Sequence, residues 1–595
     1  MELHLWAFAG IALVSAATFY IGYRSSRQAS TAQDFLVARR AVRSSRNAAA
    51  VSGEYLSAAS FLGVAGLVLK DGVDALWYPI GFTAGYLALM VFVAAPLRRS
   101  GAYTLPDFCE ARLGSRGLRA LSTGFVVVIG MLYLVPQMQG AGLTVSRIIP
   151  VPNWVGAVLV AIVVVVNVVG GGMRAITLVQ AFQYWLKLFA IAAPTFIMCV
   201  LFIGDGGTRS GPAVGLTEDL PPTFTGATRI DVRTPVQLQV KEHTWLTANG
   251  TVDGGPADGS VFWPPGVHTV GAGTELHFFQ DSSVPVVVGA PPDNAGWLRP
   301  VAGTDDMFLT YSLILATFLG TMGLPHVLVR FYTNPDGRAA RRTTLHVLLL
   351  VSLFYLFPML VGALSRLYVP ELLVTGQSDL AVLALPTKIA PGVLGEILTA
   401  VTTAGAFAAF LSTSSGLIVS VAGVLSTDVL PGRVRDFRFA TAVAGVFPLA
   451  AAILLRTTDI SLTVGMSFAL AASTFSPVLL LGIWWRKLTW VGAAAGMLVG
   501  GGLVIHSYVI TTLSDYTGHW GWELLKQPAI ISVPAAFLTV VVVSKATRRT
   551  LPPDVNRIRL RMHAPDRLGF IRDRDIARFG TAEERARLAN GRHRQ

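Results

Sequence analysis

Residues 50–66 read Ala50-Val-Ser-Gly-Glu-Tyr-Leu-Ser-Ala-Ala-Ser-Phe-Leu-Gly-Val-Ala-Gly66. The stretch is apolar enough to belong to a membrane-spanning helix, which needs roughly 20 mostly apolar residues. Yet Gly53, Glu54, Tyr55, Ser57 and Ser60 fall at the depth where a lipid-facing helix would carry Leu and Val. An ionisable group at the centre of a span costs about 2.5–3.5 kcal/mol on insertion scales, so Glu54 needs a cavity, a partner or a proton. The plainer account of Glu54 is a carboxylate near the inner end of the span, bonded to a neighbouring helix. A second interrupted stretch reads Phe318-Leu-Gly-Thr-Met-Gly-Leu-Pro-His-Val-Leu-Val-Arg330. Gly320, Gly323 and Pro325 lie within six residues there and make a continuous helix unfavourable. Backbone freed at membrane depth is tolerated only where it lines a cavity or is buried in protein; a simple proline kink is the alternative.

The whole chain agrees with a membrane setting. Of 595 residues, 53% are hydrophobic and only 14% charged, with a mean hydropathy of +0.57; a soluble domain carries about 25% charge. The net charge of +13 does not point to nucleic acid, because the basic residues sit in short clusters between apolar runs, as they do in cytoplasmic loops. Cys109 and Cys199 lack metal-ligand spacing and read as small core residues. The run from Leu3 to Tyr20 has no basic leader and no clear small-residue cleavage site, so a retained helix is expected.

Thirteen spans are expected, at about 3–23, 48–70, 75–97, 121–146, 154–171, 176–203, 307–328, 344–367, 394–424, 439–456, 461–483, 490–512 and 527–545. Every odd-numbered span is followed by basic residues: Arg24, Arg27, Arg39, Arg40, Arg43 and Arg46 after span 1; Arg98, Arg99, Arg112, Arg116 and Arg119 after span 3; Arg174 after span 5. The pattern continues with Arg330, Arg338, Arg341 and Arg342, then Arg433, Arg435 and Arg438, then Arg486 and Lys487, and last Lys545, Arg548 and Arg549. The positive-inside rule then places the N-terminus outside and the C-terminus in the cytoplasm of a multi-pass cell-membrane protein. A missed span would have thrown these clusters out of phase.

Spans 2 and 7 each open a set of five, and five is odd, so the two sets run antiparallel. Interrupted helices at corresponding positions of two halves point to an inverted-repeat transporter with its site between the breaks. The organisation expected is an all-α polytopic protein: residues 1–47 as first span and loop, 48–204 as the first repeat, 305–486 as the second, and 487–545 as two further spans. Residues 205–304, rich in Gly, Pro, Thr and Val with alternating runs such as Val236-Gln-Leu-Gln-Val and Val284-Pro-Val-Val-Val, read as a small β-rich extracytoplasmic insert. Residues 546–595 read as a basic, partly helical cytoplasmic tail able to touch anionic lipid. In span 9, Ala404-Gly-Ala-Phe-Ala-Ala-Phe-Leu-Ser-Thr-Ser-Ser-Gly416 puts Ala409, Ser412 and Thr413 on one helical face. Their hydroxyls and a spare carbonyl are hard oxygen ligands for a small cation, and equally the small polar residues of close helix packing.

Several motifs in order resemble the sodium/solute symporter family: Ser57-Ala-Ala-Ser-Phe-Leu-Gly63, Gly320-Thr-Met-Gly-Leu-Pro-His326 and Ser473-Thr-Phe-Ser-Pro-Val-Leu-Leu-Leu-Gly-Ile-Trp-Trp485. Thr31-Ala-Gln-Asp-Phe-Leu-Val-Ala-Arg39, Gly101-Ala-Tyr-Thr-Leu-Pro-Asp107 and Gly170-Gly-Gly-Met-Arg174 support it. The likeness spans about 30–200 and 305–500 and is nearest to the cation/acetate branch. It implies a five-plus-five inverted-repeat core like that of the leucine transporter. It also implies a Na+ site between spans 2 and 9, made by the carbonyls of Gly53, Leu56 and Ala409 and the hydroxyls of Ser412 and Thr413. Where many relatives carry an aspartate in span 6, this chain has Thr177, ahead of Val179 and Gln180. That departure leaves the coupling ion open between Na+ and H+.

The expected cargo is a small carboxylate such as acetate, met by half-helix N-termini at the two breaks. Glu54, Tyr55, Ser57, Gln139, Lys187, Thr321 and Gly323 form the candidate substrate set. Lys187 is a counter-charge or a lysine held between helices, and Gln139 an amide donor or a helix–helix contact. No organic cofactor and no nucleic acid partner are expected; oligomeric state is not legible. A membrane enzyme would need a nucleophile–base pair or metal ligands, and neither is found; His326 stands alone near Arg330. A symporter for proline, pantothenate or a sugar is the nearest rival, and a receptor sensing through the insert the more distant one.

Overall fold

The structure is a computed structural model that describes residues 5–26, 38–149, 151–205, 217–300, 304–430, 434–454, 460–517 and 523–568. Most of the Thr31–Arg39 motif, together with Arg27, Arg433 and the tail after residue 568, lies outside the described residues. Among the described residues, eleven helical stretches are long and apolar enough to cross a membrane. Two of them are double. Ala59–Arg99 contains a 3₁₀ turn at Gly72–Leu76, and Trp154–Gly204 breaks at Gly172, whose φ of +53° and ψ of −150° no helix accommodates. Each of the thirteen expected spans therefore has its helix, and the fold is the expected mostly helical one.

Both expected interruptions are present. Span 2 runs as Ser44–Tyr55, leaves helical geometry at Leu56 (φ −73°, ψ 84°) and resumes as a π turn at Ala59–Gly63 followed by Val64–Asp71. Span 7 runs as Thr304–Gly323, turns extended at Leu324 and continues in the short helix Pro325–Val329. Pro325 has no N–H and restricts the residue before it, which is why the break falls at Leu324. Span 9, Val393–Val424, stays unbroken and is the most buried of all the spans. It packs on span 2 and on the Trp154–Gly204 pair, so its polar face looks into protein.

Short helices outside the spans were not legible. Leu105–Leu113 starts on the Thr104 hydroxyl, which accepts from the Asp107 N–H at 3.2 Å, and ends on Gly114 at φ +69°. Glu371–Thr375 and Ala381–Ile389 lie between spans 8 and 9. At 5 to 9 residues they are too short for the apolar periodicity that announces a span.

The insert is a seven-stranded antiparallel sheet: β1 (Thr228–Val232), β2 (Val236–Val240), β3 (Thr244–Val252), β4 (Gly255–Trp263), β5 (Gly266–Val270), β6 (Thr274–Phe278) and β7 (Val286–Val287). The order is β1-β6-β3-β5-β2-β7, with β4 paired to β3. Val236-Gln-Leu-Gln-Val is strand β2, as the alternation implies; of Val284–Val288 only two residues form a strand. Asp253-Gly254 closes the β3–β4 hairpin with both φ positive (50° and 77°), the two-residue turn whose twist matches paired strands. The insert is fastened to the helical core through Trp297, whose indole N–H donates to the Val68 carbonyl at 2.7 Å.

On the opposite end of the bundle, several arginines counted as loop charges are buried staples. Arg98 donates to the carbonyls of Asn334 (2.5 Å) and Pro335 (2.9 Å), Arg112 to Gly482 (2.6 Å) and Trp485 (3.2 Å), and Arg40 to Gly101 (3.1 Å). Guanidinium groups satisfy carbonyls at helix ends and adjoining turns that helical bonding leaves free. The tail adds another tie. Asp566 accepts from Arg99 at 2.9 and 3.1 Å and from the N–H groups of Gly337 and Arg338, at the start of span 8, at 3.1 and 3.2 Å.

Burial alone would raise the Asp566 carboxyl, but the Arg99 hydrogen bonds, the two backbone N–H groups and the Arg99 charge hold it below its ordinary value of 3.8. A carboxyl depressed on folding contributes fully above its unfolded value and loses that contribution as pH falls through the lower folded one. Amide exchange of residues 555–568, corrected for intrinsic rates, is expected to stay protected from about pH 7 to about 5 and to lose protection toward about pH 3. Asp566→Asn is expected to expose the same segment already at neutral pH.

Candidate functional site

The break in span 2 frees backbone groups in a place with no water to take them, so each must find a partner. Side chains supply these partners. The Gly53 carbonyl accepts from the Lys187 ammonium, the Leu56 carbonyl accepts from the same ammonium at 2.7 Å, and the Glu54 carbonyl accepts from the Thr413 hydroxyl at 2.6 Å. Past the break, the Ala58 N–H donates to Gln137 Oε1 at 3.1 Å.

Lys187 reaches this point from span 6 and is fully buried. Thr177, Gln180, Tyr184 and Lys187 recur at helical spacing along one face of that span. The face lies against span 2 because Gly53 carries no side chain: a Cβ there would stand 2.4 Å from the Gln180 carbonyl oxygen. The third hydrogen of the ammonium goes to Ser412 Oγ at 2.8 Å. A lysine ammonium has three donors and no acceptor, and all three are used.

The five oxygens expected to hold Na+ therefore do gather between spans 2 and 9. Lys187 Nζ sits among them. It bonds Gly53, Leu56 and Ser412, while the Thr413 proton goes to Glu54 and the Ala409 carbonyl accepts from Ser412 Oγ at 3.1 Å. A sodium ion coordinated by the same three oxygens would occupy the volume that Nζ fills, so the residues as arranged do not fit the metal. Of the two readings of Lys187, the structure shows the lysine held between helices, with Nζ donating to backbone and to Ser412.

Glu54 is tied through one of its two oxygens. Its Oε2 accepts from Arg330 Nε at 2.5 Å, with both side chains at most 1% exposed. Arg330 also donates to Thr177 Oγ1 at 3.0 Å and to Gln180 Oε1, and Gln180 Nε2 donates to the Ser412 carbonyl at 2.7 Å. Gly416 leaves room for the carboxylate, since a Cβ there would lie 2.0 Å from it. A buried arginine keeps its charge and offers a planar fork, so the pair ties the two broken spans together, while Glu54 Oε1 is buried with no hydrogen-bond partner among the described residues. Arg330, expected among the loop charges, is part of this core.

The remaining candidates divide in two. The Tyr55 hydroxyl meets Thr321 Oγ1 at 2.8 Å, joining span 2 to span 7 beside the break, and Ser57 Oγ accepts from Tyr133 at 3.2 Å. Gly323 instead faces span 11, where a Cβ would meet the Ala471 carbonyl oxygen at 2.5 Å; it is a packing residue. Gln139 is not the amide that reaches the break, because Gln137 is. Two residues turn a helix by roughly 200°, so only one of the pair can face span 2.

Sequence reasoning missed the aromatic ring around the break. Tyr55 stacks edge-on to Tyr86 at 4.7 Å, and Tyr133 packs against His326 at 5.4 Å and Phe468 at 6.0 Å. Tyr86 Oη, Gln137 Nε2 and both ring nitrogens of His326 are buried and have no hydrogen-bond partner among the described residues. Their unspent bonding capacity is what a polar guest would complete.

The family model of the Sodium:solute symporter family matches residues 35–228 and 267–500 of the chain. The chain is 26% identical over 556 residues to the uncharacterized symporter YwcA of Bacillus subtilis, covering 90% of this chain and 93% of that one. It is 27% identical over 549 residues to the monocarboxylic acid transporter of Corynebacterium glutamicum, covering 88% of each. Among solved structures it is similar to a Na+-coupled sialic acid symporter in a substrate-bound outward-open state. That match has a TM-score of 0.58 at 14% identity and covers 91% of this chain and 98% of that one.

Removing one member of a buried ion pair strands the other and costs about 3–5 kcal/mol, whereas replacing both is far milder. Arg330→Met and Glu54→Gln are each expected to lower the thermal unfolding midpoint in detergent. The double variant should recover much of the loss, so a double-mutant cycle on the midpoints checks the tie.

Proposed function

The chain belongs to the sodium:solute symporter family, and on that premise we propose that it is a secondary symporter of a small monocarboxylate such as acetate. In this reading it works in the cell membrane by alternating access and draws on the inward gradient of a small cation. The supporting observation is the break of span 2 at Leu56–Ser57, ringed by the unpartnered Tyr86 hydroxyl, Gln137 Nε2 and His326 imidazole. A half-helix begins at Ala58, and its N-terminus carries partial positive charge suited to an anion. Glu54 does not oppose an anion there, because Arg330 neutralises it. The likeness to a monocarboxylic acid transporter supports the carboxylate over a neutral solute.

The distribution of arginines supports an outside N-terminus, an outside insert and an inside C-terminus. The chain's own residues then act as follows. Ser57 and Tyr133 present hydroxyls at the break, and Gln137 holds Ala58 so that the half-helix points its N–H groups inward. The Tyr55–Thr321 bond couples span 2 to span 7, so that movement of one broken segment is felt by the other. Rocking of this core against the flanking spans exposes the site to either side.

Gradient-driven uptake of labelled acetate into proteoliposomes tests the reading. Unlabelled propionate and pyruvate should compete, and proline, pantothenate and glucose should not. Ser57→Ala should raise KM about tenfold, the cost of one hydrogen bond to a charged group. Competition by proline, pantothenate or glucose in place of the acids would overturn the carboxylate assignment.

A further inference from the structure

We infer that this chain carries its own cation at the junction of spans 2 and 9: the ammonium of Lys187 stands where an alkali-metal ion is expected, and the junction is closed without sodium. The inference deepens the symporter reading and rests on it for what the junction is used for.

The geometry carries it. Three oxygens from two helices, Gly53 O, Leu56 O and Ser412 Oγ, converge on one nitrogen that has three hydrogens to give. Two of the three are main-chain carbonyls freed by the helix break, which lose their partner if the ammonium leaves. The lysine is not snorkelling toward water, because it is fully buried and its stem lies between helices. Its position is prepared by its neighbours. Gly53 admits the backbone of span 6 at Gln180, and Gln180 bonds the Ser412 carbonyl at 2.7 Å, holding span 9 at the reach of the side chain. The Thr413 hydroxyl, a further expected ion ligand, is turned to the Glu54 carbonyl.

A covalently held cation differs from a free one in a way that matters for coupling. It cannot arrive from one side of the membrane and leave on the other, so the clasp between spans 2 and 9 does not report the sodium gradient. The ion that drives solute entry does not bind as Na+ among these oxygens while Lys187 is in place.

Purified protein is to be titrated with ²²Na+ in a binding assay, alongside acetate uptake with Na+ replaced by choline at a fixed pH gradient. The wild-type chain should show no saturable ²²Na+ binding that depends on Ser412, and uptake should be unchanged in choline. Lys187→Ala should empty the oxygen cage and gain saturable ²²Na+ binding, and adding Ser412→Ala should weaken that binding about tenfold. Gain of sodium binding separates this role from a merely structural lysine, whose loss would create no ion site. Wild-type ²²Na+ binding that Ser412→Ala abolishes would overturn the inference, and so would a folded Lys187→Ala protein that binds no sodium. If Lys187→Ala fails to fold, the wild-type binding arm decides alone. Absence of acetate uptake under every condition would instead strike the monocarboxylate reading, leaving the binding arm to stand by itself.

Discussion

The core depends on how the carbonyls freed at Leu56 are satisfied. A helix broken in the middle of a bundle exposes main-chain oxygens to a medium with no water, and each one left bare costs several kcal/mol. Here the debt is met from two directions. Lys187 on span 6 bridges Gly53, Leu56 and Ser412, and Thr413 on span 9 takes the Glu54 carbonyl. The break, span 6 and span 9 therefore form one unit, and the half-helix beyond the break is free to present its N-terminus to a guest.

The second constraint is charge. Glu54 and Arg330 are both buried, and their attraction has to outweigh the loss of water from each. Extra bonds from Arg330 to Thr177 and Gln180 spread that demand over span 6. Thr177 brings a neutral hydroxyl to this network, in which the arginine has its carboxylate in Glu54. With Lys187 Nζ bonded to Gly53, Leu56 and Ser412, the oxygens that a mobile cation would need at this junction already have a partner.

Peripheral parts hold this centre from both ends. The insert grips the end of span 2 through Trp297 and Val68, and the tail binds Arg99 and the start of span 8 through Asp566. The insert thus fastens a broken span itself, and the tail fastens helices that flank it. The buried arginines among the loops at the tail's end act in the same way: Arg98 and Arg112 bond carbonyls near helix ends.

The sequence by itself determined the spans, their breaks and the family, because each of these is written in local composition. Twenty apolar residues in a row, glycine and proline inside them and clustered arginines between them have meaning without knowing any neighbour. It also placed Ala409, Ser412 and Thr413 on one face, since helical phase is local. What only the tertiary structure decided is which polar groups meet. Lys187 lies 131 residues from Leu56 and 225 from Ser412, and Arg330 lies 276 from Glu54. One sequence motif of small and hydroxyl residues suits a sodium ion and a lysine ammonium equally well, because both want converging oxygens. The difference lies in whether a cationic side chain from another helix points into the cage, and that depends on how closely span 6 approaches Gly53, a distance set by packing and by no single stretch of sequence.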